Sequence, residues 1–315
     1  MSNLNDQLSK VIRQIESDLG TNKLAELSLT NLIDSFSYFK ASSIDDFYDQ
    51  FKELLVLLKT TKPRIGIVIF QFCEIWEEMQ KRRNTIDSID ELKHVLEDVI
   101  HLILNQQEGD GKKLIENGLQ CVKDGDSILI HSHSRTVLNI IEQAYQEKKK
   151  IRVVLAEQEE EKTHEMIVFL QDREIPFVVV PEFMLSHVEQ EITKVFLGGI
   201  TLNNTHSFIT DAGTNSVVSE FHHAKVPIYI FLTTKKFSLW DAGKKEQTYK
   251  VTQKKSEHHP EKEVTYERIK FSHDRVPVDL LDYVVTEEGK FTPKEMVKIF
   301  DKRYKDFAEW RKKYF

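Results

Sequence analysis

The second half of the chain carries short runs of β-branched and aromatic residues, and this feature restricts the fold more than any other. Mostly helical stretches separate the early runs, and each run has the length of a buried parallel strand. The runs occupy residues 127–130, 151–155, 177–180, 194–197, 228–232 and 283–285. Strands that alternate with helices form a parallel sheet covered by helices on both faces. The pattern therefore predicts an α/β fold with a Rossmann-like parallel sheet domain over residues 124–315.

The first 120 residues show the period of amphipathic helices instead. One apolar face recurs at helical spacing through Ile44, Phe47, Tyr48, Phe51, Leu54, Leu55 and Leu58. Ser43 precedes it, with Asp46 three residues on, as expected for a helix N-cap. We predict a helical N-terminal domain over residues 1–123. Residues 241–270 are rich in charge and poor in apolar side chains, which predicts an exposed excursion from the sheet.

Composition excludes several classes of protein. The net charge of −7 argues against a dedicated nucleic-acid binder, which usually carries a basic excess. The two cysteines, Cys73 and Cys121, are far apart and provide neither a disulfide framework nor a zinc motif. The N-terminal residues do not resemble a signal peptide, and no apolar run approaches the ~20 residues of a membrane span. We expect a soluble cytoplasmic protein with no membrane contact.

The first predicted strand ends in a polar string that suits an anion. Ligands of open parallel sheets bind at the carboxyl ends of the strands. Here His131, Ser132 and His133 are followed by Ser134 and Arg135 at the start of a predicted helix. Backbone N–H groups, a hydroxyl and a guanidinium would converge there on a phosphate. The alternative is that Ser134 caps the helix and Arg135 pairs with a carboxylate.

Two further strand ends offer similar groups. Gly213 and Thr214 follow the fourth strand and could hold a phosphate through backbone N–H groups, or form a tight turn with a threonine cap. Lys236 follows the fifth strand and could reach the same crevice, or lie in solvent beside Lys235. Neither a glycine-rich dinucleotide motif nor a serine hydrolase motif is present.

A metal site is the weaker hypothesis at this edge. His131 and His133 alternate, so on a continuing strand they would point the same way and supply half of a site. No third or fourth ligand occurs at a suitable spacing. Ser132 would then point away from both histidines. We expect neither a metal nor a cofactor.

These strings occur in the order and spacing of one superfamily. The segments ILIHSHSRTVLNIIEQA, IRVVLAE, REIPFVVVPEFM, KVFLGGI and DAGTNSVVSEFHHAKVPIYIFLTTKKF follow one another almost without gaps. They resemble the alpha, beta and delta regulatory subunits of eukaryotic translation initiation factor 2B, with the alpha type closest in motif. The isomerases of methylthioribose 1-phosphate and ribose 1,5-bisphosphate are the enzymatic branch of the same superfamily.

The resemblance implies that the isomerase chemistry is absent. The isomerases carry a catalytic cysteine after the first strand, where this chain has Ser132, and a catalytic aspartate after the fourth, where it has Ile200. Aldose–ketose isomerisation needs a group that takes and returns a proton, which isoleucine cannot do. We therefore assign no catalytic residue, and Ser132 and Ile200 are former catalytic positions.

Other family positions have also changed. Where the family has an arginine that faces the phosphate, this chain has Glu159, and where the family has a lysine, it has Asp211. The family's Arg-Gly-Ala string is replaced here by Leu19-Gly20-Thr21. A carboxylate at either position would repel a phosphate. The family residues that remain are the predicted ligand-binding set: His131, Ser134, Arg135, Gly213, Thr214 and Lys236.

Three functions are consistent with this set. The first is a non-catalytic regulatory or binding protein of the initiation factor 2B alpha type, a homodimer or a partner of homologous subunits, with a phosphorylated sugar or nucleotide in a residual crevice. The alternative is a ribose phosphate isomerase with a rearranged acid/base set. The third is an interaction module that binds no small molecule, which Glu159 and Asp211 favour.

Overall fold

Four helices form the described N-terminal residues, as the apolar period predicts. The structure is a computed structural model that describes residues 2–61, 65–158, 160–240, 250–259, 262–271 and 273–314. The helices are α1 (Ser2–Ser35), α2 (Ile44–Thr60), α3 (Gly66–Arg82) and α4 (Ile89–Leu119). Ser43 caps α2 by accepting from the Asp46 N–H, because its φ of −152° places the side chain over the first turn.

Strands and helices alternate after α4. The helices are α5 (Arg135–Gln146), α6 (Glu160–Asp172), α7 (Thr214–His223) and α8 (Pro293–Tyr314). The strands are β1 (Ser127–His131), β2 (Arg152–Glu157), β3 (Phe177–Pro181), β4 (Lys194–Gly198), β5 (Thr201–Leu202), β6 (Ser207–Asp211), β7 (Ile228–Phe231), β8 (Lys250–His259), β9 (Lys262–Phe271), β10 (His273–Pro277), β11 (Tyr283–Thr286) and β12 (Gly289–Phe291). All six predicted strand runs are strands, so the predicted α/β fold is confirmed.

The main sheet has the order β12-β11-β7-β4-β1-β2-β3. Its pairs are parallel except for β11 with β12, and β1 lies between β2 and β4, with Ile130 beside Leu155 and Phe196. The central strands are buried on both faces, as parallel strands between helix layers must be. The carboxyl ends of β1, β4 and β7 therefore meet at one edge.

Two smaller sheets were not predicted. Strands β10, β6 and β5 form an antiparallel sheet beside the loop that leaves β4. Strands β8 and β9 pair as a two-stranded antiparallel sheet within the predicted excursion. Residues 241–249, the first part of that excursion, lie outside the described residues.

Helix α8 returns to the N-terminal helices and joins the two parts of the chain. The Trp310 indole donates to Glu77 at 2.8 Å, and the Trp76 indole donates to the Tyr314 carbonyl at 3.3 Å. Lys235, just after β7, contacts Glu74 of α3 at 3.3 Å. The N-terminal helices are thereby held against the carboxyl edge of the sheet. Across the described residues, no helix combines the length and apolar character that crossing a bilayer requires.

Candidate functional site

A crevice of about 280 Å³ lies between the N-terminal helices and the carboxyl ends of the strands. Its floor consists of residues that follow β1 and β4, namely 132–136 and 198–200. Its roof consists of residues 19–23 and 26 of α1 and parts of α4. This is the edge at which open parallel sheets bind ligands, and the volume is near that of small-molecule sites.

Two helix starts face this space. Gly20 has φ 76° and ψ 163°, so α1 is broken there and a second helical stretch continues from Thr21. On the floor, α5 begins at Arg135, and the Ser134 hydroxyl accepts from the Val137 N–H at 3.4 Å. The first-turn N–H groups of a helix lack partners within it and carry partial positive charge. Both parts of the chain therefore present anion-binding backbone to the crevice.

Charged side chains give the crevice an excess of two positive charges. Four basic residues and two acidic residues line it: Lys23, Arg135, Lys162, Lys236, Glu26 and Asp211. Glu26 pairs with Lys23 at 2.5 Å, and Asp211 pairs with Lys162 at 3.5 Å. Each carboxylate is thus offset by a lysine, which weakens the repulsion that the sequence predicts at Asp211. Glu159, the other predicted acidic group, lies outside the described residues.

The two predicted cations of the crevice differ in burial. Arg135 is exposed at the start of α5. Lys236 is buried, and its Nζ lies 3.4 Å from the Gly199 carbonyl oxygen. The buried ammonium is a fixed charge at the end of β7, whereas Arg135 has room to close on a ligand.

Ser134 is held where β4 ends. A Cβ atom on Gly198 would lie 2.4 Å from the Ser134 Oγ. The end of β4 can therefore approach Ser134, the N-cap of α5, this closely only because residue 198 is glycine. The structure therefore brings Ser134, Arg135 and Lys236 of the predicted set to the crevice wall.

The other three predicted residues lie one layer below. His131 is 1% exposed, and its Nε2 lies 3.3 Å from Glu182 Oε2. Thr214 Oγ1 is 3.2 Å from His131 Nδ1 and donates to the Asp211 carbonyl at 2.7 Å. Gly213 has φ 95°, and a Cβ there would lie 2.6 Å from Glu182 Oε1. His131, Gly213 and Thr214 thus build a buried polar network around Glu182 rather than the crevice wall.

His131 and His133 do not act as a pair. Strand β1 ends at His131, and Ser132 has φ 73°, so the alternation on which the metal hypothesis depended stops there. His133 instead lies 3.4 Å from Glu165 of α6, and burial lowers its pKa. Within the described ranges, no three His, Cys, Asp or Glu residues are grouped closely enough to hold a metal ion.

The same turn brings Ser132 to His131, against the sequence prediction that they point apart. Ser132 Oγ lies 2.8 Å from His131 Nδ1, and Ser132 also lines the crevice floor. Ile200 lines the floor as well and brings an apolar side chain to it. Sequence reasoning missed Glu182, and also Lys23 and Lys162, because no motif in the sequence connects these residues to the strand ends.

Known proteins similar to this chain fall in one superfamily. The chain is 27% identical over 202 residues to the translation initiation factor eIF2B subunit delta of Dictyostelium discoideum, covering 57% of this chain and 32% of that protein. It is 20% identical over 293 residues to the ribose 1,5-bisphosphate isomerase of Thermococcus kodakarensis, covering 90% of each chain. The chain spans only about a third of the Dictyostelium protein, and about half of an eIF-2B subunit 2-like protein from Pyrococcus horikoshii.

Solved structures share the fold. The translation initiation factor eIF-2B of Pyrococcus horikoshii superposes with a TM-score of 0.68 at 19% identity, covering 91% of this chain and 98% of that one. A chain of the tetrameric eIF2B-beta2-delta2 complex of Chaetomium thermophilum gives 0.69 at 16% identity, covering 95% and 93%. The model of the Initiation factor 2 subunit family matches residues 17–293. This chain belongs to the Initiation factor 2 subunit family.

Proposed function

We propose that this protein is a regulatory, ligand-binding member of its family that holds a phosphorylated sugar or nucleotide in the crevice. The observation that carries the proposal is the meeting of two helix starts with an excess of two positive charges. The buried Lys236 supplies a fixed charge, the exposed Arg135 supplies a mobile one, and the N–H groups at the start of α5 supply directed donors.

The proposal includes the loss of the isomerase reaction. Ile200 occupies the former carboxylate position on the crevice floor and cannot transfer a proton. A bound sugar phosphate would therefore act as a signal or a stabilising ligand rather than a substrate for isomerisation. We further propose that the protein works in the cytoplasm as a homodimer or with homologous subunits. The Chaetomium complex is a beta2-delta2 tetramer, which supports assembly among chains of this fold.

The direct test is a thermal-shift titration with ribose 5-phosphate, glucose 6-phosphate and nucleoside monophosphates. A ligand that binds only the folded state, present at 100 times its Kd, stabilises that state by about 2.7 kcal/mol. We expect a rise in Tm with at least one of these phosphates, and its loss in Arg135→Ala. The matched control is Arg152→Ala, which removes an arginine at the opposite end of the sheet that pairs with Glu191.

The controls separate the three functions. A shift that survives Arg135→Ala would place the ligand elsewhere and contradict the proposal. The absence of a shift with every phosphate would favour the interaction module, with protein partners as its ligands.

One observation favours the isomerase as a second candidate. The Ser132 hydroxyl lies 2.8 Å from a ring nitrogen of His131, so a proton acceptor is in contact with the former cysteine position. Incubation with ribose 1,5-bisphosphate, followed by detection of the ketose by NMR, tests it. Turnover that is lost in Ser132→Ala would replace the non-catalytic proposal.

A further inference from the structure

Ser132 has an unusual backbone conformation for its position. Its φ of 73° lies in the left-handed region, and its side chain is buried. Four more non-glycine residues in the described ranges have positive φ, and none of them is buried: Lys148, Glu174, His206 and Lys225. Left-handed backbone at such residues is strained and concentrates at functional sites. Here it forms a sharp turn from β1 towards α5, the geometry that exposes a nucleophile at the top of a sheet in α/β-hydrolases.

The contacts of Ser132 are those of an activated hydroxyl. Its Oγ lies 2.8 Å from His131 Nδ1, and the other ring nitrogen, Nε2, lies 3.3 Å from Glu182 Oε2. The hydrogen bond with His131 lowers the pKa of Glu182, so this carboxyl is ionised at neutral pH. A proton on Nε2 is then shared with Glu182, and Nδ1 accepts from Ser132, since the Thr214 hydroxyl 3.2 Å from Nδ1 donates to the Asp211 carbonyl instead. Ser132, His131 and Glu182 are thus connected in series as a nucleophile, a base and an orienting carboxylate.

Gln158 is a further neighbour of His131 in this network. Its side-chain amide lies 2.6 Å from His131 Nε2 and also contacts the Ala212 carbonyl. The nitrogen and oxygen of a glutamine amide are assigned from such contacts, and half a turn exchanges them. With the oxygen towards Nε2, both Gln158 and Glu182 accept from that ring nitrogen, and the hydrogen bonds of the amide nitrogen to the Ala212 carbonyl and to Glu182 are lost. The exposed Ala212 carbonyl can then bond water.

We propose that Ser132 is a nucleophile that acyl phosphates acylate, with His131 as its base and Glu182 as the positioning carboxylate. The Ser132 Oγ attacks the carbonyl carbon while its proton passes to His131 Nδ1. The bond between that carbon and the bridging oxygen breaks, and the electron pair leaves with the phosphate. His131 then gives its proton to solvent, and the departing phosphate takes a proton from solvent, so the products are an O-acyl serine and inorganic phosphate.

The burial of His131 selects this class of substrate. A fully buried base can take the serine proton but cannot reach a leaving group in the crevice. A departing phosphate can instead take its proton from solvent and be stabilised by nearby cations. Arg135 and Lys236 line the same crevice and would stabilise the departing charge. This half of the inference depends on the proposed phosphate site, whereas the reactivity of Ser132 does not.

Two probes separately test the reactivity of Ser132 and its use of acyl phosphates. Phenylmethanesulfonyl fluoride is uncharged and reports only the nucleophile, whereas acetyl phosphate also requires the phosphate site. Peptide mass spectrometry should find both labels on Ser132. Hydroxylamine should remove the acetyl group from Ser132 but not from acetylated lysines, because an ester is cleaved and an amide is not.

Variants then distinguish the loss of the general base from the loss of the folded structure. Ser132→Ala should abolish both labels, and Ser219→Ala, which removes an exposed serine of α7, should leave them unchanged. His131→Gln should slow labelling by about a hundredfold, the lower range of general-base catalysis. Glu182→Gln provides a second measurement should His131→Gln fail to fold, and it should slow labelling and shift its pH profile.

The outcomes are decisive in each case. Labelling of Ser132 by both probes with the expected loss in the variants supports the inference. Failure of both probes on the folded protein overturns it. Labelling by the sulfonyl fluoride alone overturns the acyl phosphate assignment, and the Arg135→Ala thermal-shift test shows independently whether the phosphate site exists.

Discussion

At the scale of single residues, Glu182 makes the buried network sensitive to acid. The hydrogen bond with His131 is the main cause that lowers its pKa below the usual 4.5. A carboxyl with a lowered pKa stabilises the fold fully above its unfolded pKa, and this contribution is lost as pH falls through the folded pKa.

We therefore expect the unfolding free energy of the wild type to decrease more steeply below about pH 4.5 than that of Glu182→Gln. Urea denaturation between pH 7 and pH 3 measures this difference. Glu53→Gln, which changes an exposed glutamate on α2, is the control and should follow the wild type. Parallel curves for wild type and Glu182→Gln would show that the pKa of Glu182 is the same in the folded and unfolded states and would contradict this account.

Gly198 provides a residue-scale test of the crevice itself. An alanine Cβ there would lie 2.4 Å from the Ser134 Oγ and must displace the cap of α5. Overpacking of this kind costs about 1–3 kcal/mol. We expect Gly198→Ala to lower the Tm and to reduce the shift that phosphates produce.

The matched control for Gly198 has the opposite expected sign. Gly109 lies in α4, and nothing lies within 4 Å of a Cβ built there. Gly109→Ala should stabilise the protein by about 0.5–1 kcal/mol, because alanine is the better helix former. A loss of phosphate response in both variants would mean that Gly198 has no specific role at the cap.

At the scale of elements, Phe300 is the most deeply buried aromatic residue of α8. Phe300 lies with its ring centroid 5.5 Å from that of Phe237, which follows β7. Truncation of a buried phenylalanine costs about 3–5 kcal/mol. Phe300→Ala should lower the unfolding free energy by that amount in urea denaturation, whereas Tyr38→Ala, at an exposed position after α1, should change it by less than about 0.5 kcal/mol. Equal losses in both variants would contradict this account of α8.

Elements with strong periodicity were predictable, and short or strained ones were not. The six strand runs and the helix of residues 44–60 are indicated by the period of their apolar residues. Strand β5 has two residues, too few to show a period, so the second sheet was not predicted. The Ser132 turn was missed because alternation assumes that a strand continues, whereas β1 ends at His131.

At the scale of the whole molecule, the crevice exists only because two parts of the chain meet. Ser134, Arg135 and Lys236 were predictable because parallel strand ends share an edge. Lys23 comes from α1 and Lys162 from α6, and Glu182 follows β3. The positions of these three residues at the site depend on how helices pack against the sheet, which short-range sequence patterns do not encode.

Exposed apolar side chains at the β3 edge of the main sheet predict that the protein self-associates. Phe183 is 82% exposed in the turn that follows β3, and Met184 beside it is also exposed. Val179 is exposed on β3 itself, the last strand of the main sheet. Exposed apolar groups next to a sheet edge mark interaction surfaces.

If this surface joins two copies, light scattering should give a mass near twice the 36.9 kDa of the chain. Phe183→Asp should then yield the monomer, because a carboxylate at the centre of an apolar contact loses its water without gaining a partner. Tyr38→Asp is the control, since Tyr38 is similarly exposed but lies on the N-terminal helical part. A dimer that persists in Phe183→Asp would place the contact on another surface, and a wild-type monomer would contradict self-association through this surface.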